Sequence, residues 1–191
     1  MVKIYVVDNG GQWTHKEWRI LRDMQIETKI VSNTTPLSTL LQENIDGLIL
    51  SGGAPRIGLD GSLGNASEYL ENAEFPILGI CAGHQYMARF FGGIVAPSKI
   101  PEFGKIEIQL LIKNNPLFQG IPEKSIVWES HNDEVVSLSK DFELIAKSET
   151  CEIQAISHKQ KPFFGLQFHP EVAHTQYGEL IFTNFIKICK Q

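Results

Sequence analysis

Four short apolar runs constrain the fold of this 191-residue chain more than any other feature. They occupy residues 4–7, 47–50, 77–80 and 163–168, and turn-forming or polar residues bound them. Runs of this kind are typical of parallel strands that are covered on both faces of a sheet. None of them is long enough to cross a membrane as a helix.

Segments with mixed apolar and polar faces separate several of these runs. We predict helices at residues 14–24, 66–73, 85–91 and 177–189. The alternation of strands and helices predicts an α/β fold with an open, mainly parallel sheet and helices on both faces. Alternating polarity predicts extra antiparallel strands at 105–112, 125–130 and 151–157. A chain of this length is expected to form a single domain, residues 1–191.

Charge and cysteine content argue against several classes of protein. The formal net charge of −5 does not indicate a basic face, so no nucleic-acid partner is expected. No segment resembles a membrane span or a cleavable signal, so no membrane partner is expected either. The three cysteines show neither CxxC nor zinc-ligand spacing. We therefore expect no metal site, no disulfide framework and a cytoplasmic location.

One of the cysteines, Cys81, lies in "GICAGHQ", residues 79–85, where a predicted strand meets a predicted helix. The pattern G-x-C-x-G has the form of the nucleophile elbow G-x-S-x-G, with sulfur in place of oxygen. Such a turn forces strained dihedral angles on the nucleophile and needs small neighbours, here Gly79 and Gly83. The free N–H groups and the dipole at the start of the next helix favour a thiolate. Alternatively, Cys81 is a buried cysteine that packs as a small hydrophobic residue.

A base for this sulfur is available in "GLQFHPEV", residues 165–172. His169 also ends an apolar strand, and the carboxyl ends of parallel strands meet at one edge of the sheet. Pro170 keeps His169 extended, which directs His169 and Glu171 to the same side of the chain. The carboxylate of Glu171 can then orient the imidazole, which gives a Cys81–His169–Glu171 triad. The alternative for a lone histidine is a structural, hydrogen-bonded role.

The remaining cysteines and histidines lack such a constellation. Cys151 and Cys189 are interpreted as structural residues. His15, His84, His158 and His174 are interpreted as surface or packing residues, although His84 is placed to support the elbow.

At these residues the sequence resembles the class I (triad) glutamine amidotransferases. "GICAGHQ" and "FHPE" resemble two signatures of that family, and "LILSGGAP" resembles its third, the oxyanion-hole turn. The resemblance covers nearly the whole chain and implies the family's flavodoxin-like fold. It also implies L-glutamine as the substrate, with no cofactor on this chain.

The resemblance further implies roles for individual residues. The backbone N–H groups of Gly53 and Ala82 would form the oxyanion hole. Substrate binding is assigned to Gly52, Gln85, Ser130, Asn132 and Asp133, with Gln12 as a further candidate. For 130–133 the alternative is an Asx-type turn between strands.

Two positions depart from the family pattern. Ala54 stands between the paired glycines and Pro55, and Asn132 stands where glycine is usual. Asn tolerates positive φ better than most residues, so a turn at Asn132 would survive.

Within the family, "VVDNGGQWTH" (6–15) and "VWESHNDEV" (127–135) resemble the glutaminase part of the GMP synthetases, which make GMP from XMP, ATP and glutamine. The implied partner is a separate ATP-pyrophosphatase (synthetase) subunit, with ATP and magnesium expected on that subunit. We expect the glutaminase to be weak until this partner docks.

Three alternatives stay open. The first is a glutaminase subunit for anthranilate, aminodeoxychorismate or carbamoyl phosphate synthesis. The second is a stand-alone γ-glutamyl hydrolase or cysteine peptidase. The third is a non-catalytic regulator, whose expected mark is a broken triad.

Overall fold

A computed structural model describes residues 2–112 and 114–191, so Met1 and Lys113 of the predicted 1–191 domain lie outside the described residues. The strands are β1 Ile4–Asn9, β2 Ile30–Ser32, β3 Gly47–Gly53, β4 Ile77–Ile80, β5 Ile94–Leu110, β6 Lys124–Ser137, β7 Phe142–Ser148, β8 Ala155–His158 and β9 Phe163–Leu166. The helices are α1 Thr14–Asp23, α2 Leu37–Gln42, α3 Ala66–Asn72, α4 Ala82–Phe90 and α5 Gly178–Ile188. Short 3₁₀ helices lie at Ile57–Leu59 and Pro116–Phe118.

The described strands form one sheet in the order β2-β1-β3-β4-β9-β8-β7-β5-β6. Neighbours from β2 to β9 are parallel, and those from β9 to β6 are antiparallel. The predicted α/β class is confirmed, with a parallel half and an antiparallel extension that is larger than the sequence indicated. Because β1, β3, β4 and β9 run parallel, their carboxyl ends lie along the same edge of the sheet.

The core lies on both faces of this sheet because successive side chains of each strand point to opposite sides. Ile4 and Val6 of β1 pack on the face that carries α1 and α5, whereas Tyr5 and Val7 pack on the other face. The second face is covered by α2, α3 and α4 through Leu40, Tyr69 and Met87, among others. Helices therefore cover both faces, as predicted. Among the described residues, no helix has the length and apolar character to cross a bilayer.

The structure differs from the sequence-based assignment mainly outside the parallel core. Strands β2 and β7 and helix α2 were not predicted, and β5 begins at Ile94 instead of residue 105. The early part of β5 contains prolines, and its register against β6 shifts between Pro97 and Glu102. Proline cannot donate to a strand ladder, which hides such a strand in the sequence.

The predicted strand at 151–157 begins only at Ala155. Residues before it form a turn in which the Cys151 N–H donates to Ser148 Oγ at 2.9 Å. The Ser148 N–H donates to the Cys151 carbonyl, also at 2.9 Å. These local hydrogen bonds replace strand pairing at Cys151.

The connection between β4 and α4 is tight because backbones meet there without side chains. A Cβ on Gly79 would lie 2.7 Å from the Gly83 carbonyl carbon, and one on Gly83 would lie 2.2 Å from the Leu50 carbonyl oxygen. Glycine at both positions therefore lets α4 start directly over β3 and β4.

Gly83→Ala tests this close approach. Alanine favours a helix over glycine by about 1 kcal/mol. The added methyl would meet a strand carbonyl that cannot rotate away, and overpacking of a core typically costs about 1–3 kcal/mol or more. Because the clash is with backbone, the cost should lie near the upper end of this range, so we expect a net loss of about 1–2 kcal/mol in the free energy of unfolding, measured in urea. Ser67→Ala in α3 adds no volume and serves as the control, and a Gly83→Ala protein as stable as that control would refute the packing argument.

Candidate active site

The carboxyl ends of β1, β3, β4 and β9 open into one cavity of about 400 Å³. This volume falls in the range of roughly 300–1,000 Å³ that is usual for small-molecule sites. Every residue to which the sequence or the resemblance gave a site role lines this cavity. These residues are Cys81, His169, Glu171, Gly52, Gly53, Ala82, Gln85, Ser130, Asn132, Asp133 and Gln12.

Cys81 occupies the turn between β4 and α4 with φ 49° and ψ −104°, a strained conformation for a non-glycine residue. It immediately precedes the first residue of α4, the end of the helix at which backbone N–H groups have no partner within the helix. Its side chain is almost fully buried, and Sγ donates weakly to the Ser130 carbonyl at 3.9 Å. This is the geometry of a nucleophile elbow, which accords with the interpretation of G-x-C-x-G.

His169 and Glu171 are buried side by side, with His169 Nδ1 2.7 Å from Glu171 Oε1. The His169 ring and the Cys81 side chain both lie against Gly52 and line the same cavity. Burial by itself lowers the pKa of His169, but the Glu171 carboxylate and the Cys81 sulfur outweigh it and raise the pKa well above its usual value. The structure therefore brings the three predicted triad members together in the order sulfur, imidazole, carboxylate.

The end of β3 lies directly against the triad. A Cβ on Gly52 would lie 3.1 Å from His169 Cε1 and 3.5 Å from Cys81 Cβ. A Cβ on Gly53 would lie 2.7 Å from the Asn9 carbonyl oxygen. Only glycine lets this backbone approach both the triad and β1, and this approach brings the Gly53 backbone to the cavity that Cys81 and Ala82 also line.

The structure contradicts the expectation of a turn at the substrate-binding candidates on β6. Residues 130–133 form no turn, because β6 runs unbroken from Lys124 to Ser137. Asn132 does not have positive φ. Its departure from glycine therefore needs no special backbone conformation, and the interpretation as an Asx-type turn is wrong. Ser130 presents its backbone carbonyl to the Cys81 sulfur.

The side chain of Gln85 connects α4 to β6. Its Nε2 donates to the Asp133 carbonyl at 2.7 Å and to Gln167 Oε1 at 3.0 Å. These two bonds use both hydrogens of the amide nitrogen. Only the amide oxygen of Gln85 is then left to meet a ligand in the cavity.

The loop after Gly53 is tied to the same strand. Arg56 Nε donates to both carboxylate oxygens of Asp133, each at 3.0 Å, and the Gly58 N–H donates to Asp133 Oδ2 at 3.1 Å. The Arg56 guanidinium and the Gly58 N–H outweigh burial and lower the pKa of Asp133. Ala54, which departs from the family pattern, thus precedes a loop that is anchored by an ion pair.

Sequence reasoning missed several residues at the site. The Trp13 ring meets the His169 ring edge to face, with centroids 4.4 Å apart. Glu17 of α1 lines the cavity and is almost fully buried. Asn9 and Ser51 bind each other's backbone and thereby fix the ends of β1 and β3. The segment "NGGQWTHKE" (residues 9–17) contains Asn9, Trp13 and Glu17, but only the fold shows that Trp13 and Glu17 line the cavity.

A second missed feature is a buried polar cluster behind the cavity wall. Among the described residues, Glu102, His131 and Cys151 offer potential metal-ligand atoms within 4.8 Å of one another. Glu102 already accepts hydrogen bonds from His131 Nε2 at 2.8 Å, from Ser148 Oγ at 2.8 Å, from Gln154 Nε2 at 2.7 Å and from Thr150. We therefore interpret the cluster as a hydrogen-bond network that supports β6, and the expectation of no metal site stays a prediction.

The other histidine and cysteine interpretations concern residues away from the reacting groups. His84 is fully buried against Gly165, and burial lowers its pKa to about 3, so it packs behind the elbow as a neutral ring. Burial raises the pKa of the Cys151 and Cys189 thiols, which keeps both protonated. Neither thiol lines the cavity described above.

A thiol on an elbow, an imidazole and a carboxylate at the carboxyl edge of this sheet define a cysteine-dependent amidotransferase or hydrolase site. The model of the family described as glutamine amidotransferase class-I matches residues 5–189, so the chain belongs to that family. Similar curated proteins are named as one subunit of a glutamine-hydrolyzing GMP synthase. The one from Thermoplasma acidophilum is 52% identical over 191 residues, covering 99% of this chain and 94% of the relative. The one from Pyrococcus abyssi is 48% identical over 189 residues, covering 97% and 98%.

Solved structures agree with this assignment. A Thermoplasma acidophilum crystal structure with 52% sequence identity matches with a TM-score of 0.93 and covers 100% of this chain and 94% of that one. A glutamine amidotransferase from Thermotoga maritima, at 22% identity, matches with a TM-score of 0.72 over 99% of this chain and 82% of that one. The second likeness shows a shared fold.

Glu171→Gln tests the ion pair, because it removes the charge and keeps a hydrogen-bond acceptor for His169 Nδ1. The pKa of His169 is expected to fall, as measured by NMR titration of its ring. A raised histidine pKa stabilises the folded state below the unfolded value of about 6.5, and this stabilisation is lost as pH rises through the folded pKa. The advantage of the original protein over Glu171→Gln in free energy of unfolding should therefore shrink from pH 6 upward. An unchanged His169 pKa would contradict the ion pair.

Proposed function

We propose that this chain is the glutaminase subunit of a two-subunit GMP synthase. It hydrolyses L-glutamine to glutamate and ammonia and supplies the ammonia to a separate synthetase subunit that converts XMP to GMP. The observation that carries the catalytic half is the buried cluster of Cys81, His169 and Glu171 in one cavity, with His169 hydrogen-bonded to Glu171. The near full-length similarity to proteins named as one subunit of a GMP synthase supports the choice of pathway.

The first chemical step follows from the charges at the triad. The raised pKa of His169 suits it to accept the thiol proton of Cys81, which turns the sulfur into a thiolate nucleophile. The thiolate attacks the side-chain amide carbon of glutamine. The oxyanion that forms is met by the backbone N–H groups of Gly53 and Ala82, and losing one such donor typically slows a reaction roughly 100–1,000-fold.

The second step returns the proton. His169 protonates the leaving nitrogen, ammonia departs, and a γ-glutamyl thioester remains on Cys81. His169 then takes a proton from water, the hydroxide attacks the thioester carbon, and glutamate leaves as the thiol is restored. Glu171 keeps the imidazole in the orientation that both transfers need.

Recognition of the free amino acid requires partners for its α-amino and α-carboxylate groups. We assign these roles to the amide oxygen of Gln85, to the backbone of Ser130, Asn132 and Asp133, and to the Gly52 and Gln12 side of the cavity. The tie between Gln85 and the Asp133 carbonyl makes this wall rigid. A preorganised wall lowers the ordering cost of binding.

The partner is proposed to carry the remaining chemistry. It would bind ATP, magnesium and XMP, whereas this chain would need no cofactor and would work in the cytoplasm. Phe103 lines the cavity and is 60% exposed, so it offers an apolar contact at the cavity mouth. Docking there would cover the mouth and keep ammonia from solvent.

Replacing the nucleophile separates the two half-reactions. With the synthetase partner, XMP and ATP present, Cys81→Ala should lose glutamine-dependent GMP formation by at least roughly 10⁴-fold, because triad knock-outs have effects of this size. Formation of GMP from added ammonium should persist, since that reaction does not use this site. Cys189→Ala is the matched control and should retain both activities. Retained glutamine use in Cys81→Ala would overturn the site, and no amination of XMP by the original pair would overturn the pathway.

Partner dependence is tested by titration. Glutamine hydrolysis by this chain should rise as the XMP- and ATP-loaded partner is added, because docking completes the closed site. Phe103→Ser should raise the partner concentration needed for half of the effect. Ile94→Ser removes a similarly exposed apolar side chain from the same strand, away from the cavity, and serves as the control. Unchanged hydrolysis across the titration, or equal shifts in both variants, would contradict this interface.

A further inference from the structure

Glu17 is a buried acid that the triad mechanism does not use. It lies in the first turn of α1, is 1% exposed, and lines the same cavity as His169 and Glu171. The Gly52 backbone lies close enough to its carboxyl group to favour the ionised form. One oxygen of this carboxyl group, Oε2, has no hydrogen-bond partner among the described residues.

Glu171 resembles Glu17 in having one carboxyl oxygen without a hydrogen-bond partner among the described residues. Its Oε1 binds His169 Nδ1, but its Oε2 is buried and also has no hydrogen-bond partner among the described residues. Glu17 and Glu171 are close enough to repel each other when both are ionised. Leaving two buried carboxylate oxygens unsatisfied would be costly, whereas one proton between them satisfies both.

We propose that Glu17 is a positioning residue that stays protonated, donates its Oε2 proton to Glu171 Oε2, and accepts the Gly52 N–H. The triad thereby becomes a chain of four side chains. The same carboxyl group ties Glu171 to the strand end that precedes the oxyanion donor Gly53. The proton stays on Glu17 throughout the reaction, so the chemistry at Cys81 is unchanged.

The electrostatic surroundings support a neutral carboxyl group. Burial, followed by the negative charge of Glu171, raises the pKa of Glu17 well above its usual value. His169 and the Gly52 backbone oppose this shift, and Asp8 on β1 adds to it. Dyads of buried carboxyl groups that share one proton follow the same logic.

This inference rests on the proposed glutaminase activity for its kinetic readout only. In the presence of the synthetase partner, Glu17→Leu should lower kcat for glutamine hydrolysis roughly 10- to 100-fold, because a hydrogen bond to a charged group is lost. Its KM should change little, since Glu17 does not touch the amino acid. Glu17→Gln keeps a donor for Glu171 and an acceptor for Gly52, so it should recover kcat to within about threefold of the original protein.

A second readout needs no activity. Between the unfolded pKa of glutamate, about 4.3, and the folded pKa of Glu17, the unfolded chain has lost a proton that the folded chain keeps. The unfolding equilibrium constant of the original protein, relative to Glu17→Gln, should therefore rise about tenfold per pH unit from pH 5 upward. Other titrating groups are common to both proteins and cancel. Glu179→Gln removes an exposed glutamate from the first turn of α5 and should leave both readouts unchanged.

The outcomes are distinguishable. Recovery of kcat by Glu17→Gln together with the pH-dependent stability ratio supports the inference. A Glu17→Gln protein as slow as Glu17→Leu, or a stability ratio that is constant from pH 5 to pH 8, overturns it. Absence of glutamine hydrolysis in the original protein would overturn the proposed function instead, and the stability ratio would still decide the protonation of Glu17.

Discussion

The backbone contact between the elbow glycines and β3 is the constraint on which the site depends. Because Gly79 and Gly83 carry no side chains, α4 starts within a single residue of β4 and rests on the Leu50 carbonyl. Cys81 then has no freedom to relax from φ 49°, a strain of about 1–3 kcal/mol for such conformations. Burial of Ala82, Met87 and Ala88 in the core offsets that cost and keeps the sulfur at the sheet edge.

The antiparallel half of the sheet also helps to form the site, through contacts of β6 with His169 and Cys81. The loop that carries the base is fastened to β6, since the His169 N–H donates to the Trp128 carbonyl and the Trp128 N–H donates to Thr175 Oγ1, each at 2.9 Å. The same strand places Ser130 over the Cys81 sulfur. One element thus sets both the distance of the base from the nucleophile and the position of the substrate wall. The buried hydrogen bond between His131 of β6 and Glu102 of β5 helps to keep β6 rigid.

Local signals in the sequence were enough to predict the parallel core and the proximity of Cys81, His169 and Glu171. These signals arise from residues that are close in the sequence: the apolar runs, the glycines around Cys81 and the His-Pro-Glu order. The unbroken β6, the early start of β5 and the roles of Trp13 and Glu17 depend on contacts between distant segments. Glu17 illustrates this limit, because a glutamate in the first turn of a helix usually indicates a solvated, dipole-favoured anion. Only the packing of α1 against the end of β3 turns it into a buried acid.

The buried acidic side chains around the His169 imidazole affect how readily it releases a proton. Glu171 is the carboxylate that hydrogen-bonds the His169 ring, and its stabilisation of an imidazolium must remain small enough for the proton to be released to the departing nitrogen. A second or third carboxylate nearby would hold the proton too firmly. Burial raises the pKa of both Glu17 and Glu129 well above the usual value, which favours their neutral forms. The site therefore presents several buried carboxyl groups but places the Glu171 carboxylate in direct contact with the imidazole, and the fold controls the reactivity of His169 through the acids that it buries.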